Sequence, residues 1–217
     1  GAATPMFWAD IALREPAALD LLDEDLTALV WGYEPDTPFD AWCRTSREAS
    51  HGRREIWMCP GTSSWRSISG RTSERRGNLA AAAHAGLEHG ATGFLITDWG
   101  DHGHRQQWPV ALHGLADGAS VAWNADAAER FEASAACLHL ADAAAGRLRP
   151  WLERLAELDH ELRAGRITER LRNASAMFTD LHEPLDSPPM RGDAGLWRET
   201  AARLQELSAS MPAISDE

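Results

Sequence analysis

The sequence predicts an α/β protein, part of a (β/α)8 TIM barrel followed by a C-terminal α-helical region. Three observations predict it. Four short apolar runs alternate with helical segments in the first 124 residues, and each run ends beside residues capable of chemistry. Composition then shifts near Asn124, after which Ala, Leu, Arg and Glu recur at helical spacing. Residues 1–124 hold eight of the ten tryptophans and 13 of the 17 glycines, and residues 125–217 hold the other two and four. The acidic excess is nearly the same on both sides, ten Arg against 16 acids and then eleven against 17, so the boundary separates architectures rather than electrostatic roles.

The strand runs are 6–10, 28–34 (ALVWGYE), 55–59 (EIWMC) and 93–98 (GFLITD). Near-continuous apolar runs of this length suit parallel strands buried on both faces. Helices are expected between and after them, over roughly 15–22, 38–49, 76–89 and 113–123. The third has the clearest face, with Leu79, Ala82, Ala83, Gly86 and Leu87 inward and Gly90 just past its end as a cap. One helix per strand, always in the same sense, is the pattern of a barrel wall. Half a barrel leaves two unpaired edges and an open interior, so such a chain requires further residues, a second copy or a rearranged sheet. A strand that opens immediately after Gly1-Ala2-Ala3-Thr4, without a basic leader, adds the expectation that the chain is a piece of something longer.

In the second region, amphipathic helices are expected over 127–145, 148–164, 167–181 and Ala194–Ala209. Pro150, Gly165 and the 184–192 stretch (PLDSPPMRG) are expected to punctuate them. The last helix carries a stripe of Leu196, Trp197, Ala201, Leu204 and Leu207, and the region is expected to be a packing appendage.

Charge and composition exclude several functions. All 21 basic residues are arginine against 33 acids, a net charge of −12 with no basic run, which disfavours nucleic acid as a partner. Apolar residues at 44% and charged residues at 25% describe a globular chain. No run approaches 18 apolar residues, so no membrane span is expected. Cys43, Cys59 and Cys137 form neither a disulfide framework nor a CxxC metal pair. Unpaired cysteines favour a cytoplasmic location, with any export signal upstream of this chain.

Ten tryptophans beside a single tyrosine is the unusual entry in the composition. In parallel β/α folds the reactive groups sit at the C-terminal strand ends and in the loops that follow. That rule selects Trp8 and Asp10, then Trp31, Tyr33 and Glu34, then Trp65 within CPGTSSW, and finally Asp98, Trp99 and Asp101 within DWGDHGH. A pyranose ring has a weakly apolar C–H face and a rim of hydroxyls, so indole planes stack on the face while carboxylates accept from the rim. Indoles with carboxylates between them therefore point to a carbohydrate site. Two other chemistries are open. Asp98, Asp101, His102 and His104 in one loop have the residue types of a metal-dependent hydrolase. A non-catalytic carbohydrate-binding or assembly module would use the same indole wall. Serine catalysis at Ser63 or Ser64 lacks the GxSxG setting of a nucleophile elbow, and Cys59 reads as a small buried apolar residue.

Taken in order, Trp31-Gly32-Tyr33-Glu34, the segment from Cys59 to Trp65 and the segment from Thr97 to His104 resemble the C-terminal half of the catalytic barrel of family 20 glycoside hydrolases, the β-N-acetylhexosaminidases. The resemblance covers about residues 5–124 and implies that the four strands are strands five to eight. It implies a retaining hydrolase in which the substrate's own 2-acetamido oxygen attacks the anomeric carbon, with a Glu as general acid and the preceding Asp orienting the acetamide. No cofactor is implied, and the partner is an N-acetylhexosamine-containing glycan. The catalytic Asp-Glu pair is expected upstream, in a missing N-terminal half of the barrel, so this chain is expected to be inert alone or completed by a homodimer partner. Asp23-Glu24 is the one comparable doublet, and it enters a strand at the end away from the chemistry. Trp99-Gly100-Asp101 resembles the family's Trp-x-Glu, with Asp one methylene shorter. Trp31 corresponds to a further wall. Tyr33 is offered for the family's acetamide-binding tyrosine, although it lies on a different strand.

Overall fold

A computed structural model describes residues 3–126, 131, 135, 138–139, 143–163, 171–182 and 194–213. Four strands, β1 (Met6–Trp8), β2 (Thr27–Trp31), β3 (Ile56–Cys59) and β4 (Gly93–Phe94), form one parallel sheet in the order β1-β2-β3-β4. Each falls on an expected run, β2 starting one residue early at Thr27, but three of the four stop short of the expected end. The tails of those three runs, 9–10, 32–34 and 95–98, lie beyond the strands and carry the chain into the segments that follow. β4 has only two residues in the ladder, and pairing resumes at the bridge between Gly61 and Thr97.

The intervening helices are α1 (Asp10–Arg14), a 3-10 turn over Pro16–Leu21, α2 (Phe39–Glu48), α3 (Thr72–Glu88) and α4 (Trp108–Trp123). The single helix expected over 15–22 is replaced by α1 and the 3-10 turn. Pro16 disfavours helical geometry at Glu15, which has φ −122° and ψ 77°, and so separates the two. α4 starts earlier than expected because Pro109 sits in its first turn, where no backbone N–H is needed. α3 also starts early, and its first turn carries buried charges that hide the apolar period. Gly90, at φ +62°, ends that helix as expected, and the Ala91 N–H closes back on the Gly86 carbonyl at 2.7 Å. Leu87, expected inward, is 72% exposed, and Leu79, Ala82, Ala83 and Gly86 carry the buried face instead.

Strand alternation divides the sheet cleanly. Ala28, Val30, Ile56 and Met58 face the helices and pack with Leu13, Phe39, Cys43, Ala82 and Ala85 into the main core. The register places Trp8, Leu29, Trp57 and Gly93 side by side in one row on the opposite face. In that row the Trp57 indole lies across Gly93, where a Cβ would sit 2.1 Å from the ring. Trp8, at the end of the row, is 44% exposed.

In the second region, 127–145 lies mostly outside the described residues, as does Cys137. Helices α5 (Ala143–Arg163), α6 (Ala176–His182) and α7 (Ala194–Ala209) follow. α7 has the expected bounds. α5 runs through Pro150, which was expected to punctuate it. The expected helix over 167–181 is reduced to α6 within its described part, because a turn over 171–175 precedes it. Buried Asp159 of α5 caps α6 by accepting the Ala176 and Met177 N–H groups at 3.2 and 3.0 Å. Within the α7 stripe, Leu207 is buried while Leu196 and Trp197 pack on Leu162 and Leu171, but Ala201 and Leu204 stay exposed.

Ion pairs lock α5 to α3 and α4. Asp117 accepts from Arg75 at 2.7 Å and Arg76 at 3.2 Å, and Glu153 takes Arg76, Arg149 and His113. Glu74 lies between Arg71 and Arg163. Burial pushes the Glu153 carboxyl up, but the His113 hydrogen bond and the Arg76 and Arg149 guanidinium groups more than offset it, holding it at about 2. Burial, with Arg75 nearby, pushes the His113 imidazole down, against the pull of Glu153 and Asp117.

Two outcomes follow from this packing. Gly93→Ala forces the added methyl into the Trp57 ring and costs about 1–3 kcal/mol, read as a lower urea midpoint; an unchanged midpoint would mean that the ring is not seated on β4. Both titrating groups have folded values below their ordinary ones, so each contributes stability at higher pH that is lost on acidification. For His113 the loss sets in below its ordinary 6.5, and for Glu153 it runs from its ordinary 4.5 down to about 2. Urea midpoints measured against pH are expected to fall through both windows, and Glu153→Gln to flatten only the lower one.

Candidate functional site

Because the strands are parallel, their C-terminal ends and the loops after them gather at one edge of the sheet. Those loops are held by buried groups of α3 and of Arg71 just before it. Asn78 donates to the Gly32 and Glu34 carbonyls at 3.0 and 2.9 Å and accepts from the Gly61 N–H at 3.3 Å, so one carboxamide ties the loop after β2 to the loop after β3. Arg71 donates to the Trp65 carbonyl and stacks on its ring, 5.2 Å from the centroid. On the β4 side the Thr62 N–H bonds the Thr97 carbonyl at 2.9 Å.

A cavity of about 550 Å³ opens at this edge. Trp8, Asp10, Trp31, Tyr33, Trp65, Trp99 and Asp101 line it, seven of the nine positions selected from the sequence, together with Ile11, Arg66 and Asn173. Tyr33 is its hub. Its ring lies 5.0 Å from that of Trp31 and 4.9 Å from that of Trp65, edge-on to the latter, and its hydroxyl accepts the Trp99 indole N–H at 2.7 Å. Trp8 completes the wall, 6.4 Å from Trp99. Trp65 is buried at its base, whereas Trp8 and Trp99 are 44% and 40% exposed and offer their ring faces. Asp10 accepts the Trp31 indole N–H at 3.0 Å, which fixes that ring and leaves its second carboxylate oxygen for another donor. Burial raises the pKa of the Tyr33 phenol, against hydrogen bonds from Thr97 and Trp99. It is a neutral hydroxyl.

The remaining two positions have other surroundings. Glu34 lines a neighbouring cavity of about 280 Å³ that shares Asp10, Trp31 and Asn173 with the first. It accepts from the Asn173 side chain at 3.0 Å and pairs with Arg172 at 3.4 Å. Asp98 does not line the main cavity. It accepts from Thr62 at 2.5 Å and from Ser64, and thereby fastens the loop after β3 beneath Trp99. Arg66 and Asn173 were not anticipated. Both have left-handed backbones, φ +48° and +53°, which are unusual for non-glycine residues and mark built positions. The left-handed tolerance of Asn was the one signal available for Asn173.

The competing chemistries fare differently. Among the described residues, Asp98, Asp101, His102 and His104 do not bring three ligand atoms together; the one group that does is Asp40, Glu88 and His89, largely exposed on α2 and the end of α3. Asp23-Glu24 lies in the turn before β2, where Glu24 pairs with Arg53, outside the cavity lining. No described helix is long and apolar enough to cross a membrane.

Comparison of the chain with protein-family models, with curated proteins and with solved structures gives no match. The fold and the site therefore define a class and not a family: an α/β protein with a four-stranded parallel sheet and an aromatic-walled cavity at its C-terminal edge. The thiol at that edge, Cys59, is buried. Burial pushes Cys59 up to about 12, as it does Cys43. In the folded chain at pH 8 neither is expected to react with an aromatic disulfide reagent, and both are expected to react in denaturant. Rapid labelling of folded Cys59 would reopen it as a nucleophile.

Proposed function

We propose that the cavity is a sugar subsite of a retaining β-N-acetylhexosaminidase and that this chain supplies strands five to eight of its (β/α)8 barrel. The observation that supports the reading is the convergence of four indoles and a tyrosine from separate strand ends on one hollow, with Asp10 and Asp101 at its edge. Such a wall suits a ring with one C–H face and a hydroxyl rim. The exposed faces of Trp8 and Trp99 stack on the sugar, and Asp101 accepts from its hydroxyls. Tyr33, its oxygen occupied by the Trp99 N–H, offers its own proton to the acetamide carbonyl.

The proton donor resides on polypeptide outside this chain in this reading. Among the described residues the cavity lining contains no Glu and no His, Asp10 already accepts the Trp31 indole N–H, and Asp101 is assigned to the sugar hydroxyls. The row of Trp8, Leu29, Trp57 and Gly93 supports the same view, because it would form part of the interior of a closed barrel. Four further β/α units, ending in the Asp-Glu pair, complete the barrel and supply the general acid.

Titration of tryptophan fluorescence with N-acetylglucosamine and its β-linked dimer tests the reading. The folded chain is expected to bind both and to hydrolyse no aryl N-acetylglucosaminide, while a polypeptide extended by the four upstream units turns it over. Trp99→Ala is expected to weaken binding roughly tenfold. Absence of binding, or turnover by the 217-residue chain alone, contradicts the assignment.

A further inference from the structure

Among the described residues Arg66 is the one cation lining the aromatic cavity. The loop after β3 carries it there in a left-handed conformation, φ +48°, and the Ser175 N–H anchors its carbonyl at 2.9 Å. Its guanidinium is sparsely used. Nη1 donates to the Arg172 carbonyl at 3.4 Å, Nε is buried with no acceptor, and Nη2 has no partner among the described residues. No carboxylate of the described residues pairs with it, whereas the buried arginines Arg71 and Arg75 each have one. A half-buried guanidinium with most of its five donors unspent fits a planar or tetrahedral oxyanion. Asn173 stands on the same side of the cavity, fixed by its bond to Glu34 and with its Oδ1 unpartnered.

We infer that Arg66 binds an anionic substituent, a sulfate ester or a carboxylate, on the sugar that the indoles hold; the inference rests on the sugar-site reading above. The chain's net charge of −12 repels free anions, so the attraction at Arg66 is local and acts on an anion delivered with its ring. The C-terminal region thus takes part in selecting the ligand, because its 171–175 turn holds Arg66 in place from outside the sheet.

Calorimetric titration of the 217-residue chain with N-acetylglucosamine, its 6-sulfate, N-acetylmuramic acid and sodium sulfate tests this. At least one acidic sugar is expected to bind about tenfold more tightly than the neutral one, as a charge-assisted hydrogen bond supplies, and the two acidic sugars separate sulfate from carboxylate. The acidic-to-neutral affinity ratio is expected to fall to about one in Arg66→Gln and to be partly kept in Arg66→Lys. Taking the ratio within each variant removes any general loss of binding. Equal affinities in the parent chain, or a preference that survives Arg66→Gln, overturn the inference and leave the sugar site standing. Sodium sulfate binding as tightly as the sulfated sugar overturns it as a substituent site. Failure of every sugar to bind overturns the sugar reading and this inference together.

Discussion

The site depends on a single phenol. Tyr33, the only tyrosine in the chain, lies just past β2 and touches Trp31 at that strand's end, Trp65 from the loop after β3 and Trp99 from the segment after β4. Each of those indoles comes from a different point of the sheet edge, and the phenol is the one side chain that all three touch among the described residues. A tilted ring, an edge-on ring and an N–H to oxygen bond are three different contacts, and they restrain the three indoles in different directions. A phenylalanine would keep the first two and leave the Trp99 N–H without its acceptor.

Placing that phenol is the work of the sheet and of α3. The β2–β3 register runs from Ala28 opposite Ile56 to Trp31 opposite Cys59, so the chain beyond Trp31 emerges beside the chain beyond Cys59. Asn78 then fixes both loops from beneath through three hydrogen bonds to backbone. The buried arginines extend the same logic outward. Arg71 and Glu74 reach Arg163, and Arg163 in turn donates to the Leu171 carbonyl at 3.0 Å, at the start of the turn that presents Asn173. Paired buried charges contribute little net stability, but breaking one pair strands its partner, so they define where α5 docks. The helical region is thereby tied to the cavity by charge, beside the apolar contacts that Phe131, Leu138 and Ala145 make with α3 and α4.

What the sequence made legible follows from period and punctuation. The four strands declared themselves through short apolar runs, and the strand-end rule then found seven residues of the cavity lining. It overreached at Asp98 and Glu34, because a carboxylate near a strand end serves equally well to fasten a loop. Asp98 does so through Thr62 and Ser64, and Glu34 through Asn173 and Arg172. Arg66 and Asn173 were hidden for the opposite reason. Their place in the site is set by a contact between loops more than a hundred positions apart, recorded in the bond from Arg66 to the Arg172 carbonyl, and no local pattern carries it. The early start of α3 escaped because its first turn buries Glu74 and Arg75, which a hydrophobic period reads as surface.

One consequence of the topology reaches beyond the cavity. Every crossover lays its helix on the same side, so the sheet has one face under α1, α2 and α3 and a second that presents the row of Trp8, Leu29, Trp57 and Gly93. Parallel sheets are rarely left that way, since both faces are apolar. Trp57 shields Gly93, but Trp8 and Met6 at the other edge remain 44% and 43% exposed. Trp8 belongs at once to that open face and to the cavity wall. In the barrel proposed above, whatever covers the face of β1 also sets the position of Trp8 against Trp99, so closing the barrel and shaping the sugar site become one event. A ligand that prefers the closed arrangement then favours closure by the same free energy with which closure favours the ligand.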